Sequence, residues 1–290
     1  MEFPKIGFGT WTFGGRRDAE PNNDDAADIA TIQFAIKSGL NHIDTAALYA
    51  AGKAEELVGA AIKDFNRGDI FLADKVLSNR MKYDEVLSEC ENSLRRLGVD
   101  YLDLYYIHFP SAEIPHQNTA RAFNRLRAEG LIKNFGICNS KIETIEDYQK
   151  YLDAPFFASQ NHFNLIARES QKTGLIDYCR EKKIHFIAWR PIQTDFPERD
   201  IKSLATRGVY PMLDEIADKY GKTNAQIAAR WLIQQDNVNI IFKSSKSEHI
   251  KEIIDSQNFE LSEEDWQNLS ANFPRQEPVG FDSRGPLPLS

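Results

Sequence analysis

DIFLADKVLSNRMKYDEVLSECENSLRRLGVDYLDLYYIHF, residues 69–109, contains a complete strand–helix–strand passage. Its two ends, DIFLADKV (69–76) and LDLYYIHF (102–109), are rich in apolar and aromatic side chains. They run on more than they alternate, the pattern of parallel strands covered on both faces. Between them Val86, Leu87, Cys90, Leu94 and Leu97 recur at helical spacing. Gly98 follows where a left-handed cap ends a helix.

The same unit repeats in both directions. Upstream stand KIGFGTW (5–11) and NHIDTA (41–46). Downstream stand NFGICN (134–139), FFASQNHF (156–163), HFIAWRPI (185–192) and NIIFKSS (239–245). Amphipathic stretches fill the gaps: Ala122, Phe123 and Leu126 end at Gly130, and Ser262 opens a helix before Trp266 and Leu269. Thr223 with Gln226 makes a capping box ahead of Ile227, Ala228, Trp231 and Leu232. Eight strands, each answered by a helix, predict the α/β class and a (β/α)8 TIM barrel, a single domain over residues 1–290. A doubly wound sheet is the runner-up, but Gly7 and Gly9 supply only half of its glycine fingerprint. Two stretches fall outside the alternation, the polar loop 12–25 and the proline-rich tail 274–290. Each reads either as disordered chain or as a flap bordering a site.

Composition narrows the function. A formal net charge of −8 argues against a nucleic-acid backbone as partner, which needs a basic stripe. No apolar run is long enough to span a membrane. The start MEFPK lacks the pattern of a secretory signal, so a cytoplasmic protein is expected. Cys90, Cys138 and Cys179 are widely spaced and read as free thiols. With no CxxC pair or tight His/Cys cluster, no metal is expected.

In a barrel of this kind the C-terminal strand ends meet at one mouth, where the chemistry sits. In order they present Thr10 and Trp11, Asp44 with Tyr49 beyond it, Lys75, His108, Asn139, Gln160, Trp189 with Arg190, and Lys243 with Ser244. Each residue alone has a bland role as a cap, a solvated charge or a core hydrogen bond. Asp44, Lys75 and His108 stand on consecutive strand ends, and that suggests a set. A phenol with a pKa of ~10 is a poor acid at neutral pH. An ammonium beside it lowers that pKa, and a carboxylate beyond holds the ammonium in place. Asp44, Lys75 and Tyr49 form such a chain, and a neutral His108 imidazole orients a carbonyl oxygen toward the phenol. A hydride source must come from elsewhere.

NHIDTAALYAAGKAEELVG (41–59), LADKV around Lys75 and LGVDYLDLYYIHFP (97–110) closely resemble the signatures of the aldo-keto reductase family, from GFGTW to FELSEEDW (259–266). The resemblance implies NADP(H)-dependent reduction of aldehydes and ketones, with NAD(H) as a second cofactor. Its catalytic places fall on Asp44, Tyr49, Lys75 and His108. It implies a carboxamide held by Asn139 and Gln160 and a ring stacked on Trp189, where relatives place Tyr. Cys138 replaces the usual Ser, and Arg190, where many relatives have Ser or Cys, is assigned to the pyrophosphate.

The last strand leads to a helix that Ser247 is expected to cap, so its amides and Lys243, Ser244, Ser245 and Lys246 suit an anion, here the 2′-phosphate. His249 stands where the family has Arg, Glu252 is retained, and Ile253 replaces Asn. Trp11, Phe13, Tyr49, His108, Phe109 and the tail around Phe281 wall the expected pocket for a small carbonyl substrate. A monomer is the default. Two rivals remain: a redox-sensing protein of the same fold with little turnover, and a metal hydrolase built on His42 and Asp44.

Overall fold

The computed structural model describes residues 3–192 and 202–274. Its strands are β1 (Ile6–Gly9), β2 (His42–Asp44), β3 (Phe71–Val76), β4 (Leu102–Ile107), β5 (Ile132–Cys138), β6 (Ala158–His162), β7 (His185–Trp189) and β8 (Val238–Phe242). They hydrogen-bond in chain order and close into a barrel, the predicted (β/α)8 fold. The register aligns Gly9 with Asp44 and Ala73, and Lys75 with Tyr106, Gly136 and Ala158. Most strands stop short of the apolar runs, so Thr10, Trp11, Thr45, His108 and Asn139 lie in the loops that follow them. β5 starts earlier than the reading from Asn134, because Ile132 pairs with Leu102 and Lys133 reaches Asp103 at 3.0 Å.

The helices follow their end signals. α1 (Asp25–Lys37) is capped by Asp24, and α2 (Lys53–Ile62) follows the Tyr49–Gly52 turn. α3 (Tyr83–Leu97) ends at Gly98, whose φ of +65° suits a residue without Cβ. α4 (His116–Ala128) and α5 (Ile142–Gln149) precede the shorter α6 (Glu169–Lys172) and α7 (Leu175–Lys182). Then come α8 (Pro211–Tyr220), α9 (Asn224–Ile233), α10 (Ser247–Asp255) and α11 (Glu263–Asn272). The Thr223 hydroxyl accepts from Gln226 N at 3.2 Å and the Gln226 side chain accepts from Thr223 N at 3.0 Å, the reciprocal box read from sequence.

Residues 7–160 form one compact unit, and residues 161–274 with 3–6 form another. In the first, Ile43, Leu72, Leu104, Tyr105 and Ile137 are buried, and the Tyr105 and Phe123 rings stack at 5.3 Å. In the second, Phe163 packs on Phe186 and Trp231, and the buried Arg168 guanidinium lies 4.2 Å from the Trp231 ring.

Loop 12–25 is built rather than disordered. Asp28 Oδ2 accepts from Gly14 N at 3.0 Å and Asn23 Nδ2 at 2.9 Å, and Gly15 bridges Ala19. Phe13, expected to wall a pocket, is 1% exposed against Phe8 and belongs to the core. The expected flap 274–290 lies outside the described residues beyond Pro274, as does Phe281. No helix among the described residues is long and apolar enough to cross a membrane.

Candidate active site

Residues 7–160 bring the four predicted catalytic residues together. Asp44 ends β2, Lys75 lies near the end of β3, and His108 follows β4. Lys75 is fully buried, and its ammonium donates to Asp44 Oδ1, to Thr45 O at 2.7 Å and to Tyr49 Oη at 3.3 Å. Asp44 Oδ2 accepts from Gln160 Nε2 at 2.8 Å, so both carboxylate oxygens are engaged. That leaves the metal-hydrolase reading without its carboxylate. Among the described residues no cluster of His, Cys, Asp and Glu suits a metal ion.

Tyr49 opens a short 3-10 turn, Tyr49–Gly52, in which Ala50 and Ala51 take left-handed φ of 51° and 53°. Ala50 N donates to Arg16 O at 2.7 Å, which ties the turn to the first loop. Because Tyr49 Oη accepts from Lys75, its own hydrogen is left to donate elsewhere. Trp11 meets the Tyr49 ring edge-on at 5.0 Å, His108 meets it at 5.8 Å, and Phe109 stacks on His108 at 4.7 Å. These aromatic groups form an apolar collar around a polar point.

Electrostatics correct one expectation. Burial pushes the Tyr49 phenol up to about 12, and the opposing pull of Lys75 only moderates the rise. The phenol is therefore a protonated donor at neutral pH rather than a partly ionised one. Burial by itself would lower Lys75, but Asp44 and then Tyr49 more than offset it and hold the ammonium above its ordinary range. His108 is held well below the ordinary histidine value by burial and then by Lys75, so its imidazole is neutral.

Asn139 and Gln160, assigned to a carboxamide, are woven into this cluster. Asn139, at a left-handed φ of 51°, donates to His108 O at 3.0 Å. Gln160 holds Asp44 through its amide nitrogen, while its oxygen faces the Cys138 thiol at 3.9 Å. Neither this role of Gln160 nor the Thr45 carbonyl acceptor was apparent from sequence. Asp44 and Gln160 are 116 positions apart, with no local signal to link them.

Residues 161–274 carry the other predicted groups. Trp189 ends β7 half-buried, and its indole lies 4.4 Å from the His162 ring, 15° from parallel. Asn164 Oδ1 accepts from Ile166 N and Ala167 N, so its nitrogen is the donor toward His162 Nε2 at 3.3 Å and Arg190 O at 2.9 Å. His162 Nε2 thus faces the Asn164 amide nitrogen, and its ring supports the indole. Neither His162 nor Asn164 stood out in the sequence. The Arg190 guanidinium lies 5.7 Å from the Trp189 ring centre.

After β8, Lys243 is exposed and donates to Ser245 Oγ at 2.6 Å, while Ser244 Oγ accepts from Lys246 N at 3.0 Å. Lys246, not Ser247, is the cap position of α10, and no side chain caps the helix there. With no side-chain cap among the described residues, this helix start is suited to an anion. His249 is exposed one turn further on. Glu252, expected at the cofactor, accepts from the Thr223 hydroxyl, beside the start of α9. The capping hydroxyl there has a hydrogen to give, and Glu252 is within reach.

The profile described as "Aldo/keto reductase family" matches residues 5–272. The glyoxal reductase of Bacillus subtilis (strain 168) is 34% identical over 283 residues, 97% of this chain and 92% of that protein. The solved structure of a thermostable aldo-keto reductase with the inhibitor epalrestat shares 34% identity at a TM-score of 0.86, covering 93% of this chain and 95% of that one. An aldo/keto reductase from Klebsiella pneumoniae, solved with NADP and acetate, shares 30% identity at a TM-score of 0.82, covering 94% and 93%. With the closed barrel and the Asp44–Lys75–Tyr49–His108 cluster, these matches show that the chain belongs to the aldo/keto reductase family and is an NAD(P)H-dependent oxidoreductase.

Proposed function

We propose that this protein reduces short, reactive aldehydes, α-oxoaldehydes such as glyoxal among them, to alcohols with NADPH, and that Tyr49 is the proton donor. The observation that carries the reading is the buried Lys75 ammonium bonded to both Asp44 and Tyr49, with the Tyr49 hydrogen left free to be given. The similarity to glyoxal reductase supports the substrate class.

The residues fit a phosphorylated dinucleotide. Lys243, Ser244, Ser245 and Lys246 gather cations, hydroxyls and helix amides suited to the 2′-phosphate. Arg190 is assigned to the pyrophosphate, and Trp189, on its His162 support, offers a flat face to the nicotinamide. Asn139 and Gln160 are assigned to the carboxamide. His249 is assigned beside the 2′-phosphate, and Glu252 keeps the helix turn that carries His249. When bound, the cofactor supplies the hydride.

The chain's own residues do the rest. Trp11 and Phe109 wall off water, while neutral His108 and the Tyr49 hydroxyl orient the carbonyl oxygen. As the carbonyl carbon gains hydride, its oxygen gains negative charge and takes the Tyr49 proton. The Lys75 ammonium, anchored by Asp44, steadies the phenolate until solvent reprotonates it. The reading takes a monomer as the working unit.

Intrinsic-fluorescence titration with NADPH, followed by turnover of a small aldehyde panel, tests this for wild type and Tyr49→Phe. Quenching in both, with kcat reduced by about 10²–10⁴-fold in the variant, is the expected result. Quenching in both without turnover in either would favour a redox-sensing protein. Equal turnover would remove Tyr49 as the acid.

A further inference from the structure

Tyr49 is placed by an unusual turn. Ala50, Ala51 and Gly52 are consecutive residues at positive φ, 51°, 53° and 94°. For alanine this region costs roughly 1–2 kcal/mol per residue, so the turn persists only because its surroundings impose it. On one side Arg16 O takes the Ala50 amide hydrogen. On the other lies a half-buried ion pair: Arg96, from α3, donates to Glu55, from the first turn of α2, through Nε at 2.7 Å and Nη2 at 3.1 Å. Glu55 is fully buried. Gly52 lies directly against this guanidinium, where an added Cβ would come within 2.7 Å of Nε and 2.8 Å of Cδ.

We propose that the Arg96–Glu55 pair is a positioning device for Tyr49, fixing the left-handed turn so that the phenol oxygen stays within hydrogen-bond reach of Lys75. A two-point guanidinium–carboxylate fork fixes direction as well as distance. It joins the start of the helix after the turn to α3, and the Arg96 side chain occupies the space that a Gly52 Cβ would need. Arg96 and Glu55 touch neither substrate nor cofactor in this reading; they act through Tyr49. The inference rests on reading Tyr49 as the proton donor.

Arg96→Met, Arg96→Lys and Gly52→Ala test it, with Tyr49→Phe alongside. Rates are normalised to the NADPH-quenching amplitude, so that only folded, cofactor-competent molecules are counted. If the brace sets the phenol, Arg96→Met lowers kcat by about 10–100-fold, the scale of a misplacement near 1 Å, with KM and NADPH affinity within about twofold. Arg96→Lys keeps the charge but loses the fork, and falls between. Gly52→Ala, which removes no charge, reproduces the kcat loss; in the Arg96→Met background the clash is gone and only the strain of alanine at a φ of 94° remains. The solvent deuterium isotope effect on kcat rises in each.

A normalised kcat unchanged in Arg96→Met, with only thermal stability reduced, would overturn the proposal and leave the pair a structural strut. A fall in kcat matched by equal weakening of NADPH binding would overturn it too. If Tyr49→Phe itself stays active, the functional reading fails before this one is reached.

Discussion

Lys75 and Lys243 follow the same rule of placement, one near the end of β3 and the other just after β8, and their surroundings differ in every other respect. Lys75 is fully buried and donates to a carboxylate, a carbonyl and a phenol. Lys243 is exposed and donates to the Ser245 hydroxyl two residues away. The buried lysine belongs to a cluster whose geometry is set before any ligand arrives, and the exposed one to a segment that water already solvates. Electrostatic preorganisation is strong where solvent is excluded and weak where it is not.

The sharpest way to break this contrast is to remove one partner of the buried pair. Asp44→Leu leaves Lys75 buried without its carboxylate, and should cost about 3–5 kcal/mol of stability, read as a lower denaturant midpoint. Asp44→Leu with Lys75→Met should recover much of that loss while remaining inactive. A midpoint near wild type for Asp44→Leu would mean that the cluster is far wetter than its burial indicates.

Next in size is the indole platform. Trp189→Ala should weaken NADPH binding by about tenfold, in line with the ~0.5–1.5 kcal/mol of an aromatic pair, measured by cofactor fluorescence. His162→Ala should have a smaller effect in the same direction, since it removes the support and leaves the face.

At the exposed end the effects shrink. Lys243→Ala and Lys246→Ala should each weaken NADPH binding only a few-fold at low salt, and the difference should fade toward 1 M salt, where the Debye length is about 3 Å. NAD(H) affinity should not respond if these lysines meet the 2′-phosphate as proposed. A salt-independent loss would move these lysines into the protected class.

The smallest expected effect is a flat line. Tyr49 stays protonated up to about 12, and His108 is already neutral below the ordinary histidine range. Raising pH from about 6 to about 9 therefore changes neither group, and kcat for carbonyl reduction should hold steady across that span. A rise in kcat through a midpoint near 6.5 would show His108 titrating and would place it in wetter surroundings.

What could be read in advance depended on how local its cause was. Tyr83–Leu97 carries the expected stripe and ends where expected because the apolar spacing and Gly98 are local signals. Asp44, Lys75 and His108 were legible because strand ends in a barrel converge, so three separate runs could be aligned without tertiary knowledge. The Ala50–Ala51 turn was not, since only glycine announces positive φ and alanine adopts it here under outside constraint. Glu252 matched a family position, yet the hydroxyl that claims it belongs to Thr223, 29 residues away. The sign of the Tyr49 shift was missed for the same reason: the neighbouring ammonium is visible in the sequence, but the depth of burial that outweighs it is not.

One last consequence follows from the three acceptors around Lys75. An amine that faces an aldehyde ordinarily attacks it, forming an imine and losing water. With every N–H committed and burial overruled by Asp44, Lys75 keeps its proton and has no lone pair to offer. The Cys138 thiol is likewise held as S–H by burial. Under the proposed function, an aldehyde beside this cluster would therefore meet neither a free amine nor a thiolate.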